Sequence, residues 1–196
     1  MSVTPYIPRF FDELYKDEVK NLTCIEEVRD AFHSNQIMSK NEALFALSKL
    51  PIKSGELLYI GSWFGFLSYA ICDIYPNYIV DEVDIDPRCK TISTSLNKNH
   101  KNFRESFTSD VFLLPNVSNY KTVVNLSSEH MASEWFDRFE IGTQFVIQCN
   151  NLDIDDHINL CYNIRELQTR YSLSDICYLS ELKLNVYSRY TIAGIK

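Results

Sequence analysis

Two adjacent residues in the stretch NLSSEHM could carry acid–base chemistry, namely Glu129 and His130. They follow an apolar run typical of a strand, and functional groups in open α/β sheets gather where strands end. Histidine titrates near neutrality and can accept a proton, while a glutamate can orient the imidazole or bind a cationic acceptor. The structural alternative is that Ser127 or Ser128 caps a helix and that Glu129 lies in its first turn.

A second group could hold a nucleotide-like ligand. In LLYIGSWFG, Gly61 ends an apolar run at a tight turn, and Gly65 opens a helix whose positive end suits an anion. Asp84 ends the next apolar run, 23 positions after Gly61. A carboxylate at that spacing can accept hydrogen bonds from both hydroxyls of a ribose. The sequence therefore predicts a ligand-binding turn paired with an acid.

Trp63 stands between the two glycines, where the backbone would approach a ligand closely. Two interpretations are open. In one, the indole is a core aromatic pinned under N-terminal helices, and the pocket is shallow or lost. In the other, the indole stacks near the cofactor or the acceptor, where it excludes water and attracts a cation.

The elements that position these residues follow from hydrophobic periodicity. Residues 1–52 predict three short helices, with S/T-x-x-E capping signals at Thr23 and Ser39. From Leu57 onward, short apolar runs alternate with helical segments, which is typical of a parallel sheet covered on both faces. The predicted strands are 57–60, 78–85, 121–126 and 144–149, and the predicted helices are 66–75, 87–98, 130–139 and 155–171.

Two β-rich runs close the chain without room for a crossover helix, so they predict an antiparallel hairpin. The fold expected is a doubly wound, mostly parallel α/β sheet. At 196 residues, with 45% hydrophobic residues and no linker-like stretch, the chain is predicted to form a single domain over 1–196.

The stretches LLYIGSWFG, VDEVDIDP, FTSDVF and KTVVNLSSEH, with the terminal hairpin, resemble the class I S-adenosylmethionine-dependent methyltransferase family over 50–196. The resemblance implies a seven-stranded Rossmann-like sheet over 53–196, an N-terminal helical cap over 1–52, and S-adenosylmethionine as cofactor. The combination of GSWFG, VDIDP and VVNLSSEHM is also similar to small methyltransferase-like proteins encoded by bacteriophages. The family's middle glycine is replaced by Trp63.

Carried over by position, the resemblance assigns a role to each stretch. The methionine end of the cofactor is lined by Gly61, Ser62, Trp63 and Gly65, the ribose is held by Asp84, and the adenine contacts Ile85 and Asp110. Asn125 to His130 face the sulfonium and the acceptor, with Glu129 and His130 as the catalytic pair.

The function predicted is methyl transfer from S-adenosylmethionine to a small-molecule or protein acceptor. The alternative is a methyltransferase-like fold that binds or degrades the cofactor without transfer, or a non-catalytic interaction module. A nicotinamide dehydrogenase is disfavoured, because its G-x-G-x-x-G pattern would need glycines where Trp63 and Phe66 stand.

Composition narrows the partners. The net charge of −7 disfavours binding to bulk duplex DNA. Arg88–Arg104 carries five Lys/Arg and no acid, which predicts a solvated helix face or, alternatively, a local anion or nucleic-acid contact. No run of about 18 apolar residues predicts a membrane span. Six scattered cysteines favour reduced thiols in the cytoplasm, and four distant histidines predict no structural metal. The sequence gives no indication of oligomeric state.

Overall fold

A computed structural model describes residues 1–16 and 19–196, and its centre is a seven-stranded sheet. The strands are β1 (Gly55–Ile60), β2 (Tyr78–Asp84), β3 (Phe103–Thr108), β4 (Thr122–Asn125), β5 (Gln144–Asn150), β6 (Asp175–Lys183) and β7 (Ser188–Ile195). Their order is β3-β2-β1-β4-β5-β7-β6. The first five strands are parallel, and β7 runs antiparallel to both β5 and β6. This confirms the predicted sheet and its terminal hairpin.

Helices cover both faces of the sheet. They are α1 (Ile7–Leu14), α2 (Ile25–Ala31), α3 (Ser34–Lys49), α4 (Phe66–Ile74), α5 (Pro87–Asn97) and α6 (Ile164–Arg170), with short 3₁₀ turns at Val111–Leu113, Ser128–His130 and Ser133–Arg138 among others. One buried cluster joins α1–α5 to the sheet, and the other lies beneath α6 and the 3₁₀ turns. Within the described residues, no helix has the length and apolar composition needed to span a bilayer.

The N-terminal helices differ in detail from the prediction. The helix signal at Ser39 is wrong, because Ser39 is buried inside α3 and its hydroxyl donates to Gln148 Oε1 at 2.5 Å. The signal at Thr23 is displaced by one residue: α2 begins after Cys24, whose amide donates to Glu27 at 3.0 Å. The bond from Ser39 instead fastens the helical cap to the sheet.

Two predicted helices are largely replaced by other structure. Of the segment 155–171, only Ile164–Arg170 is helical, and 130–139 contains a 3₁₀ turn at Ser133–Arg138. Backbone amides at the start of the first segment bond elsewhere, since those of Ile158 and Asn159 both donate to the carbonyl of Glu129. A helix there would forfeit those bonds.

Candidate functional site

A pocket of about 690 Å³ opens at the carboxyl ends of β1, β2 and β4. Its volume lies within the range of roughly 300–1,000 Å³ that small-molecule sites occupy. Seven of the ten predicted site residues line it, namely Gly61, Trp63, Asp84, Ile85, Asp110, Glu129 and His130. The structure thus brings most of the predicted site to one place.

The turn after β1 needs a glycine at its first position. Gly61 has φ +65°, a backbone conformation that side chains disfavour, and a Cβ there would lie 3.1 Å from Ser127 Cβ and Oγ. The Gly61 amide donates to the carbonyl of Val83 at 2.9 Å. The turn is therefore held against β2 on one side and against the loop after β4 on the other.

Trp63 also has a positive φ, of 51°, although it is not glycine. Its amide donates to Asp84 Oδ2 at 2.8 Å, which offsets part of the strain of that conformation. The half-buried indole lies 5.1 Å from the Phe64 ring, and Lys40 Nζ lies 5.8 Å from the indole centroid. The indole is thus part of the pocket wall, and the pocket beside it is open.

Asp84 stands at the end of β2 with both carboxylate oxygens already in use. Oδ2 accepts from Trp63, and Oδ1 accepts from the amide of Asp86 at 3.0 Å. Each carboxylate oxygen has two lone pairs, so capacity remains for hydroxyl donors from a ligand. Asp84 therefore fixes the loop and still presents acceptors to the pocket.

The two residues predicted to contact adenine lie at the outer rim. Ile85 is 75% exposed, and Asp110 Oδ1 accepts from the amide of Phe112 at 2.9 Å. Both line the pocket. Asp110 thereby starts the 3₁₀ turn Val111–Leu113 while its remaining lone pairs face solvent and the rim.

Three predicted residues do not line the pocket. Ser62 is buried, and a Cβ at Gly65 would lie 1.9 Å from Ser93 Oγ, so this glycine allows α4 to pack against α5. Asn125 is fully buried, and its Oδ1 accepts from the amide of Ser127 at 2.9 Å. Gly65 and Asn125 thus position the loops, and a contact of any of the three with a ligand stays a prediction.

Glu129 is 1% exposed, and its carboxylate lies against polar side chains from β5 and β7. Oε1 accepts from Asn150 Nδ2 and lies 3.6 Å from Arg189 Nη2. Ser128, in place of capping a helix, donates its hydroxyl to the carbonyl of Gln148 at 2.5 Å. The turn Ser128–His130 is thus not the first turn of an α-helix, and the capping interpretation is wrong.

His130 lies beside a residue that the sequence analysis did not connect with it. The rings of His130 and His157 are 4.5 Å apart between centroids and nearly perpendicular. Glu129, His130 and His157 each offer one ligand atom, and these atoms lie within 4.8 Å of one another. Distance along the chain, from which the absence of a metal was predicted, is therefore no measure of distance in the fold.

The pocket also contains polar residues that no sequence motif marked, namely Lys40, Tyr59 and Arg189. Burial, assisted by the nearby Arg189 guanidinium, lowers the pKa of Lys40 to about 7. Burial raises the pKa of the Tyr59 phenol, which stays protonated. Two features of the sequence could have pointed to these residues: a lysine within the helical pattern of α3 and an arginine within a β-rich run.

No family model matches the sequence, and no curated relative matches it. Solved structures do resemble the fold. Magnesium protoporphyrin IX methyltransferase from Synechocystis PCC 6803, with bound SAM, aligns at a TM-score of 0.62 with 13% identity over 97% of this chain and 90% of that one.

Two further structures give the same result. Geranyl diphosphate C-methyltransferase from Streptomyces coelicolor A3(2), in complex with Mg²⁺, geranyl-S-thiolodiphosphate and S-adenosyl-L-homocysteine, aligns at 0.66 with 10% identity, over 94% of this chain and 84% of that one. A SAM-dependent methyltransferase from Aquifex aeolicus aligns at 0.61 with 10% identity, over 88% and 98%. Together with the strand order, these alignments show that the chain has the class I S-adenosylmethionine-dependent methyltransferase fold.

Proposed function

We propose that this protein binds S-adenosylmethionine in the pocket and uses it to methylate a small-molecule acceptor. One observation carries the proposal: the turn at Gly61, the carboxylate of Asp84 and the Glu129–His130 pair all border a single cavity. The cofactor, when bound, supplies a sulfonium methyl group for in-line displacement by a nucleophile.

The residues on the β2 side fit an adenosyl group. Asp84 keeps lone pairs for the ribose hydroxyls, while Ile85 offers an exposed apolar surface to the adenine. Asp110 can accept from an exocyclic amine at the same rim. Gly61 has no side chain to press on Ser127, so the turn after β1 can stay close to the loop after β4 at the edge of the pocket.

The remaining pocket residues fit the reacting end. Trp63 places an aromatic wall beside the position of a cationic sulfonium, a contact worth about 0.5–2 kcal/mol depending on desolvation. Lys40 shares this wall, and its lowered pKa leaves a substantial neutral fraction near pH 7, which reduces repulsion of a sulfonium. Glu129 and His130 border the acceptor, where they can hold it and take up its proton.

A small acceptor fits better than a macromolecular one, because the N-terminal helices cover this side of the pocket. Asp30 of α2 and Gln36 and Lys40 of α3 all line it. A side chain on a protein surface would have to pass between these helices and the rim, whereas a free small molecule would not.

Calorimetric titration of the purified chain with S-adenosylmethionine and with S-adenosylhomocysteine tests the proposal. We expect saturable binding of both at micromolar or tighter affinity. The absence of binding by either would eliminate the proposal. Incubation with S-adenosylmethionine alone, followed by chromatography, distinguishes a transferase from a cofactor-degrading enzyme: breakdown without an acceptor would indicate the degrading enzyme, whereas a transferase should leave the cofactor intact.

A further inference from the structure

We infer that Glu129, His130 and His157 form a binding site for a first-row divalent transition-metal ion at the acceptor side of the pocket. One ligand atom from each residue lies within 4.8 Å of the others. In a complex with metal–nitrogen and metal–oxygen distances of about 2 Å, the ligand atoms lie roughly 3–4 Å apart. Side-chain rotations that move each ligand atom by about 1 Å would therefore close the cluster. His130 is exposed and His157 half-buried, so neither ring is enclosed in the core.

The hydrogen bonds of the two imidazoles favour the metal-binding tautomer. His130 Nδ1 lies 3.1 Å from the carbonyl oxygen of Asp156, and His157 Nδ1 lies 2.6 Å from that of Leu152. Because a carbonyl oxygen can only accept, each Nδ1 carries the proton. In this tautomer the Nε2 lone pair of each ring is the one available to a metal ion, and a backbone carbonyl behind the opposite nitrogen is the usual support of a metal-bound histidine.

The carboxylate of Glu129 gives independent support. Its Oε1 is used by Asn150 and Arg189, but its Oε2 is buried and, within residues 1–16 and 19–196, has no hydrogen-bond partner. A buried polar atom without a partner is costly, since it gives up its bonds to water. A cation held jointly with two imidazoles would satisfy this oxygen.

Local charge permits a cation there. The Arg189 guanidinium lies on the Oε1 side of the Glu129 carboxylate, and its Nη1 also donates to the carbonyl of Leu126 at 3.0 Å. The loop that carries His157 contributes the opposite charge, because it has Asp153, Asp155 and Asp156 just before the histidine.

The donor set selects the class of ion. Two imidazoles and one carboxylate suit Zn²⁺, Fe²⁺, Co²⁺ or Mn²⁺, whereas Mg²⁺ and Ca²⁺ prefer oxygen donors alone. Three protein ligands leave at least one coordination position open. Since Glu129 and His130 line the pocket, that position can hold an oxygen atom of the acceptor, and in the ion-bound state the two residues act as ligands and not as the proton acceptor. This last step rests on the proposed function; the ion site itself does not.

The test measures metal binding on the chelator-treated full chain. Co²⁺ titration should give one equivalent bound, with visible d–d absorption, and Zn²⁺ should displace it. His157→Gln and Glu129→Gln should each weaken Co²⁺ affinity at least about tenfold. His100→Gln is the matched control. His100 packs edge-on against Tyr69 outside the cluster, so this variant should bind Co²⁺ like the parent.

Thermal unfolding supplies a second readout. Zn²⁺ should raise the unfolding temperature of the parent and of His100→Gln more than that of His157→Gln. Equal Co²⁺ affinity in the parent and His157→Gln, or equal loss in the His100→Gln control, would overturn the inference. Titration of the metal-free chain with S-adenosylmethionine separates this result from the proposed function, since the cofactor is expected to bind without the ion.

Discussion

Replacing Asp84 by alanine probes the cofactor end of the pocket. The change removes the acceptors of two backbone amides, those of Trp63 at 2.8 Å and Asp86 at 3.0 Å. A hydrogen bond to a half-exposed group contributes about 0.5–1.5 kcal/mol, so the free energy of unfolding should fall by about 1–3 kcal/mol. The loop would also lose the tether that holds Trp63 at its positive φ.

The effect on ligand binding should be larger than the effect on the fold. A hydrogen bond from a ribose hydroxyl to a carboxylate is worth about 1.5–3 kcal/mol, and every 1.4 kcal/mol is a factor of ten. Loss of one such bond should therefore weaken S-adenosylmethionine binding about 10- to 100-fold, and loss of both should weaken it further. Calorimetry at a temperature well below unfolding gives the affinity, and urea denaturation gives the stability.

Asp86→Ala is the matched control, because it removes the same charge two residues later without lining the pocket. Asp86 caps α5 through the amide of Arg88 at 2.9 Å and pairs with the Arg88 guanidinium. Its loss should cost about 1 kcal/mol of stability while affinity stays within about twofold. Equal weakening of cofactor binding by both variants would mean that Asp84 acts only through the negative charge of this region. An unchanged affinity in Asp84→Ala would refute the placement of the ribose.

Three other perturbations test the pocket and the buried charges. Gly61→Ala should lower the free energy of unfolding by about 1–2 kcal/mol and weaken cofactor binding, whereas Gly142→Ala, which has a similar positive φ but open space, should affect stability alone; equal affinities would contradict the crowding argument. Glu82→Gln removes a buried carboxyl whose pKa burial raises to about 7. The folded parent keeps this proton between pH 4.5 and about 7 while the unfolded chain releases it, so the parent's stability should fall across that window by about 3 kcal/mol at most, and urea midpoints of the variant should lack the fall. Lys40→Met removes an amine with a pKa of about 7 in the fold. In the unfolded parent this amine stays protonated up to about pH 10.5, so the parent's stability should rise between pH 7 and 10.5. The control Lys90→Met should show the same rise, and Lys40→Met should lack it. A rise of equal size in Lys40→Met would disprove the assignment.

The central strands could be predicted because both faces of the sheet are covered. β1, β4 and β5 are buried over most of their lengths, and such strands appear in a sequence as continuous apolar runs. β3 was not among the predicted strands. It lies at the sheet edge, and its sequence FRESFT is largely polar because half of it contacts water.

The site divides in the same way. Gly61 and Asp84 could be predicted, because their places depend only on where β1 and β2 end. Lys40 and Arg189 could not, since they reach the pocket from α3 and β7, whose packing no local pattern specifies. His157 meets His130 only because the segment before α6 forms an irregular loop in place of the predicted helix.

Contacts among three loops join the two sides of the pocket. The Gly61 turn touches Ser127 with no space for a Cβ, and Asn125 holds the amide of Ser127. Two positions later the carbonyl of Glu129 accepts from the amides of Ile158 and of the residue after it. A displacement of the turn at Gly61 would therefore also move the turn Ser128–His130 and the loop that carries His157. Under the proposed function, buried residues such as Asn125 would act through spacing, because they set the distance from the Gly61 turn to Glu129 and the two imidazoles.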